Sequence, residues 1–327
     1  MKLKTTFLFV AILAFTCAAQ AVTIDLVPVG NPGNAPDTRY AMPGYGAVNY
    51  IYQIGKYEIT NAQWREFLTA KASLGDPFGL YSAGMSGDSG GIARSGLGTP
   101  SDPYVYSAKG GDANWDNRPV NVVSFWDAAR FANWLHNGQG NGDTESGAYI
   151  NIGNQSMFAR LSGAMYFIPT ENEWYKAAYH KNDGVTGNYF DYPTGSDSEP
   201  SNDLLTPDGG NNANFNQGDY YGYTIGSPYY MTNVGEFENS ESPYGTFDQG
   251  GNLWEWNEMV ITSSSRGLRG GDWAGSSNFL AASYRSDSPL EGSSLVGFRV
   301  ASVPEPGSIT LLICGAIAGL IWWRRRK

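Results

Sequence analysis

The stretch DQGGNLWEW, from Asp248 to Trp256, holds one glutamate between two large indoles. Two chemistries suit that glutamate, Glu255. It could ligate calcium, which takes about 6–8 oxygens from carboxylates and carbonyls alike, and Gly250 and Gly251 would permit the tight turn that aims carbonyls at a cation. It could instead be a buried carboxylate paired with an arginine. The residues alone leave both alternatives open.

Thiol and imidazole chemistry is nearly absent from the sequence. The only cysteines, Cys17 and Cys314, lie in apolar segments near the two ends, and the two histidines, His136 and His180, are far apart. The body of the chain therefore lacks the ligands for a cysteine–histidine zinc site, and a multi-histidine iron site is disfavoured. It also has no disulfide.

Charge is sparse and mainly negative. Charged residues make up 16% of the chain and the net charge is −10, which disfavours nucleic acid and anionic lipid as partners and favours cations. Among the acids, Asp272, Asp287 and Glu291 could form a general acid–base pair, but solvated loop acids show the same pattern more often. A catalytic carboxylate pair is therefore the weaker interpretation.

The N-terminus has the pattern of a removable address segment. Residues 1–21 contain Lys2 and Lys4, an apolar run, and a small-residue sequence that ends at Ala21. This order is typical of a secretory signal peptide, and a buried first helix is the weaker alternative. We expect the exported protein to begin near Val22.

The C-terminal segment, residues 303–327, contains Pro-Glu-Pro, an apolar run from Ser308 to Trp323 and four terminal basic residues. It resembles the PEP-CTERM sorting signal of Gram-negative bacteria. The resemblance implies transient membrane association, cleavage by an exosortase-type sorting protease, and delivery to the cell surface or the extracellular matrix. The apolar run has 16 residues and a spanning helix needs about 20, so an uncleaved single-span anchor is the weaker alternative.

Few regular elements are available to position the side chains of the body. Capping boxes at Thr60 and Thr170, with a weaker version at Ser124, predict three helices. Strands are predicted at Tyr50–Ile59, Met165–Ile168 and Gly297–Val303. Glycine-rich loops fill residues 75–117 and 182–236, and loops of this length are usually functional or held by ligands. The simplest interpretation is one irregular α/β domain from residue 45 to residue 302.

Six motifs along this domain occur in the order of a known family. They read YQIGKYEITNAQWREFL, RPVNVVSFWDAARFANWL, FIPTENEWYKAAY, GTFDQGGNLWEW, RGLRGGDW and VGFRVAS. Together they resemble the sulfatase-modifying-factor family, whose founding activity is the formylglycine-generating enzyme. The resemblance implies an irregular α/β (α+β) fold related to the C-type lectin fold. We expect Glu173 and Trp174 to cap a helix and fill the core, and Arg299 to make a buried ion pair.

The chemistry of the family does not carry over. Its oxidases use two cysteines between Arg-Gly-Gly and Gly-Phe-Arg to bind copper and oxidise a substrate cysteine, and here the interval from Asp272 to Val296 contains none. Serine cannot replace a thiolate as a copper ligand, because its hydroxyl stays protonated. We therefore expect no copper site, and an enzyme with altered oxidoreductase chemistry is the alternative.

Calcium is the cofactor that the resemblance does imply. Carried over by position, the site takes the side chains of Asp248 and Glu255 and the carbonyls of Gly251 and Leu253. A second site is implied at the side chain of Asn214 and the carbonyl of Phe215, joined by Asp219 and the Tyr221 carbonyl. A structural calcium ion would add stability to an exported chain that has no disulfide.

The resemblance extends to lectin-like relatives in which the segment between Arg-Gly-Gly and Gly-Phe-Arg binds ligands. Here it offers Trp273, Asn278, Tyr284 and Arg285, and aromatic rings beside amides suit saccharide or protein ligands. Core packing is the alternative for Trp273. The sequence thus favours an exported, noncatalytic ligand-binding or structural module.

Overall fold

The computed structural model of the chain describes residues 21–218 and 222–303. Apart from Ala21 and Val303, the two predicted address segments lie outside this range, and so do Asp219 and Tyr221 of the second predicted calcium site. Within the described ranges, no helix is both long enough and apolar enough to cross a membrane.

Three short helices begin at the predicted caps. They are α1 (Asn61–Ala72), α2 (Phe125–His136) and α3 (Glu171–Tyr179). The hydroxyls of Thr60 and Thr170 accept hydrogen bonds from the amides of Gln63 and Glu173, whose side chains accept from the cap amides in return. At α2, the Ser124 hydroxyl accepts a hydrogen bond from the amide of Asp127, without the reciprocal bond of a capping box. The three helix predictions are confirmed.

The strands are short and form four small sheets. In chain order they are β1 (Leu26–Val29), β2 (Tyr52–Gly55), β3 (Ile92–Ser95), β4 (Val105–Ala108), β5 (Tyr149–Ile150), β6 (Ala159–Arg160), β7 (Trp254–Thr262), β8 (Ser265–Arg269), β9 (Ser286–Pro289), β10 (Val296–Gly297) and β11 (Ala301–Ser302). The sheet orders are β1-β2-β11, β10-β7-β8-β9, β3-β4 and β5-β6. The fold is thus mixed α/β with little regular structure, as predicted.

Two of the three predicted strands are right in place but too long. The first shrinks to β2, and the last divides into β10, which pairs with β7, and β11, which pairs with β2. The prediction of a strand at Met165–Ile168 is wrong: only Phe167 pairs, in a single bridge with Ala301. A two-residue partner such as β11 cannot support a longer ladder.

Residues before the predicted domain start at 45 belong to the same fold. β1 pairs antiparallel with β2, and β11 pairs antiparallel with the other edge of β2. Val22 and Val29 are buried in the main core. The chain therefore enters and leaves the domain through one three-stranded sheet.

The main core is aromatic and lies between α1, α2 and the last motif. The ring of Trp64 stacks on Phe131 at 5.5 Å, and Phe67 contacts Trp134 at 5.2 Å between ring centroids. Phe298 closes the cluster from the far end of the chain, 5.6 Å from Phe131. Such ring pairs add to the free energy gained by burying their area.

The second long loop, residues 182–236, is organised by hydrogen bonds in place of strands. Asp208 is 4% exposed, and its carboxylate accepts from Gly210, Asn212, Asn239 and Ser240. Burial alone would raise the pKa of Asp208, but these hydrogen bonds lower it. A satisfied carboxylate of this kind can order a loop that has no ladder of its own.

Candidate functional site

Glu255 lies on β7 and is completely buried. Its Oε2 accepts hydrogen bonds from Arg299 Nε at 2.7 Å and from Trp174 Nε1 at 2.8 Å, while its Oε1 accepts from Arg299 Nη2 at 2.6 Å. Successive side chains of a strand point to opposite faces, so Trp254 and Trp256 lie on the other side of β7. The indole that covers the glutamate comes from α3.

Arg299 is equally buried, and its guanidinium is fully used. Beyond Glu255 it donates to the carbonyls of Gly55, Lys56 and Phe247, at 2.8–3.3 Å. The buried ion pair predicted for Arg299 is confirmed, and so is the prediction that Trp174 fills the core. A planar guanidinium suits this bidentate geometry.

This arrangement competes with calcium at Glu255. Both carboxylate oxygens are taken by donors, and a guanidinium 2.6 Å away occupies the place of a cation. Asp248 accepts from the Gly235 amide at 2.6 Å, and burial together with the nearby Glu255 raises its pKa to about 6. The calcium site of Asp248, Gly251, Leu253 and Glu255 stays a prediction, and the ion pair is the competing assignment for Glu255.

The second predicted calcium segment lies directly against the first. Asn214 forms a bridge with Gly251, whose φ is +83° and where a Cβ would come within 2.1 Å of the Asn214 carbonyl, so only glycine fits. Asn214 Nδ2 donates to Asn252, whereas Asn214 Oδ1 is buried and has no partner among the described residues. A buried free acceptor fits a cation or a water. The carbonyl of Phe215 accepts from Asn202 at 3.0 Å.

Glu58 is a buried carboxylate that the sequence analysis missed. It is 2% exposed, its Oε2 accepts from Asn252 Nδ2 at 3.3 Å, and its Oε1 has no partner among the described residues. Burial, Glu255 and Asp248 together raise its pKa well above the usual value. The available signal was an acid in an otherwise apolar stretch, YEIT, directly before a helix cap.

The predicted ligand residues divide between two aromatic clusters. Trp273 is partly buried and stacks on Tyr230 at 4.5 Å. Tyr284 is 36% exposed and lies against Phe279 at 4.6 Å and Trp254 at 5.8 Å. Packing therefore accounts for much of the Trp273 surface, while Tyr284 presents a ring to solvent.

Arg285 and Asn278 are close to Tyr284 in the sequence. Asn278 is exposed in the 3-10 turn Ser277–Leu280. Arg285 Nε lies 2.9 Å from a Glu171 oxygen that also pairs with Arg269 at 2.8 Å. The terminal nitrogens of Arg285 have no hydrogen-bond partner among the described residues, and its side chain is 31% exposed. Two guanidiniums thus share one carboxylate, which leaves a local positive charge.

The three acids considered for catalysis are not equivalent in the structure. Asp272 is 3% exposed and accepts from the amides of Ala274 and Gly275 in its own turn. Asp287 and Glu291 are exposed. Across the described residues, histidine, cysteine, aspartate and glutamate side chains form no group of three or more that could hold a metal ion.

Comparison with known proteins agrees with this fold. The family described as sulfatase-modifying factor enzyme 1-like domain matches residues 30–303, whereas no curated protein matches the chain. Treponema denticola variable protein 1 superposes with a TM-score of 0.51 at 19% identity, over 88% of this chain and 98% of its own. CarF superposes with a TM-score of 0.50 at 17% identity, over 87% and 100%. The likeness shows a shared irregular α/β fold.

Proposed function

Because the chain belongs to the sulfatase-modifying factor enzyme 1-like family but has no cysteine between its two terminal segments, we propose that it is a noncatalytic saccharide-binding module. The main support is the segment that carries Asn278, Tyr284 and Arg285. It combines an exposed ring, an exposed side-chain amide and an arginine whose side chain is 31% exposed. Rings supply contact area, and amide and guanidinium groups supply hydrogen bonds to hydroxyls or carboxylates.

The local charge favours an acidic saccharide over a neutral one. Glu171 is shared by Arg269 and Arg285, so one positive charge is left over on a chain that is otherwise strongly negative. A guanidinium with free terminal nitrogens can bind a carboxylate in a bidentate way.

We place this activity outside the cell, at the surface or in the matrix. The support is the sequence pattern at the two ends, which implies export and removal of the C-terminal segment by an exosortase-type protease. Calcium is proposed as a structural ion, and Asn214 Oδ1 is its best-supported ligand because that oxygen is buried and has no partner in the described part of the chain.

Binding of acidic polysaccharide from the producing cell tests the proposal. We expect Tyr284→Ala to weaken binding about tenfold, since a lost ring contact of about 1.4 kcal/mol corresponds to that factor. Phe78→Ala is the matched control, because Phe78 is similarly exposed (41%) on a different loop. Equal affinity of the two variants would refute the assignment. Binding of a protein ligand alone would refute the saccharide class.

A further inference from the structure

Val22 is held at both of its backbone polar groups by one side chain. Its nitrogen donates to Gln139 Oε1 at 2.6 Å, and its carbonyl accepts from Gln139 Nε2 at 2.8 Å. Its own side chain is 8% exposed and belongs to the main core, whereas the preceding Ala21 is exposed. Among the described residues, Val22 is therefore the first that the fold holds by hydrogen bonds.

The side chain of Gln139 is held in place by the end of α2. Its backbone has a φ of +65°, and its amide donates to the carbonyl of Trp134 at 2.8 Å. The indole of Trp134 in turn donates to Gly140 at 3.0 Å. The amide group that meets Val22 is thus part of a rigid turn.

Further contacts continue along the segment that follows Val22. The Thr23 carbonyl accepts from Gln63 Nε2 at 2.9 Å, the Asp25 carbonyl accepts from Lys56 at 2.7 Å, and β1 then pairs with β2. The family match begins only at residue 30. The segment 22–29, which we call the N-terminal strap, lies before the matched range.

We propose that Val22 is the first residue of the processed protein and that Gln139 binds its free amino group. The proposal rests on the signal-peptide prediction and not on saccharide binding. Hydrolysis of the Ala21–Val22 bond adds water: the oxygen goes to the Ala21 carbonyl carbon as a carboxylate, and the nitrogen leaves as the ammonium of Val22. One ammonium hydrogen bonds Gln139 Oε1, and the others point to the exposed side where Ala21 lies.

In this scheme the N-terminal strap can bind to Gln139 and Gln63 only after the signal segment has been cleaved. A protease needs an extended substrate on both sides of the bond it cuts, and Val22 and Thr23 are held by Gln139 and Gln63 once the strap is in place. A charge-assisted hydrogen bond is stronger than a neutral one, so removal of the signal segment strengthens the contact that closes the fold.

The full-length gene, expressed with export, provides the test. The mature protein is sequenced from its N-terminus, and the rate at which an amine-reactive reagent labels the Val22 amino group at pH 7 is measured. We expect a start at Val22 and labelling about tenfold slower than in the same protein unfolded in denaturant, which corresponds to one unit of pKa. A start at another residue, or equal rates in the two states, would overturn the proposal.

Two variants separate amine binding from a structural role of Gln139. Gln139→Leu removes the acceptor and should speed labelling about tenfold, whereas Gln139→Glu keeps an acceptor and adds a charge, so labelling should stay slow. Leucine and glutamate are equally strained at the positive φ of residue 139. If Gln139 had only a structural role, the two variants would therefore be labelled at the same rate, and that result would contradict the proposal. Gln155→Leu, which loses contacts to the β7–β8 hairpin only, should match wild type.

Discussion

Replacing Arg299 by methionine should destabilise the protein more than the loss of most other side chains. The change removes five hydrogen bonds and leaves the Glu255 carboxylate buried with Trp174 as its remaining donor. Removing one partner of a buried ion pair typically costs about 3–5 kcal/mol, because the other charge is left without compensation. We expect a loss in this range at pH 7, measured by urea unfolding.

Glu255 and Arg299 should also show strong coupling in a double-mutant cycle, because each is the other's charge partner. The double variant Glu255→Gln, Arg299→Met should cost less than the sum of the single variants by about 2 kcal/mol.

Arg266→Met is the matched control, since Arg266 is 3% exposed and bonds a carbonyl and Gln155, with no carboxylate within ion-pair distance among the described residues. It should cost clearly less than Arg299→Met. Equal costs for the two arginine variants, or additive costs in the double variant, would refute the reasoning.

Unfolding of wild type and Glu255→Gln, with and without calcium, distinguishes the ion pair from a calcium site at Glu255. A bound ion at 100 times its dissociation constant adds about 2.7 kcal/mol to the free energy of unfolding. If Glu255 ligates calcium, chelation should remove this stabilisation in wild type and have no effect in Glu255→Gln. If Glu255 serves only Arg299, calcium should change the unfolding midpoints of wild type and Glu255→Gln equally. In that case any bound ion uses oxygens such as Asn214 Oδ1.

Three further outcomes are expected. Because burial raises the pKa of Asp248 from 3.8 to about 6 in the folded state, its contribution to stability is complete below about pH 4 and is lost as the pH rises to 6. Asp248→Asn should remove about 3 kcal/mol of this pH dependence in urea unfolding. Incubation with copper, oxygen and a cysteine peptide should give no aldehyde above a protein-free control by mass analysis, and turnover would contradict the noncatalytic assignment. Intact mass of surface-released protein should lack everything after about Pro306, whereas a mass that retains Trp322 and Trp323 would indicate an uncleaved anchor.

The helices were predictable because their signals are local. A cap such as Thr60 or Thr170 needs only the residue three positions later, and both capping boxes are present in the structure. Strand lengths were not predictable in the same way, since each strand ends where its partner ends, and the partners of β2 come from opposite ends of the chain.

The candidate site could be predicted only in part, because its contacts join residues that are far apart in the sequence. The sequence singles out Glu255 because it lies between two tryptophans. Its partners cannot be found in the same way, since Arg299 lies 44 residues away and Trp174 lies 81 residues away. The contact of Val22 with Gln139 spans 117 residues. Residues that meet across such distances carry no mutual signal in a single sequence, so the contact of Gln139 with Val22 emerged only from the fold.

The three-stranded sheet also determines how the domain would bear a mechanical load. In a protein tethered by the chain that follows Ser302, tension enters at β11, which has two residues and, within the described ranges, pairs with β2 and Phe167 alone. Tension on the N-terminal strap enters through four paired residues of β1 on the opposite edge of the same strand. The sheet would therefore yield first at the tethered end, and a short length of β11 could peel away while β1 and β2 stay paired.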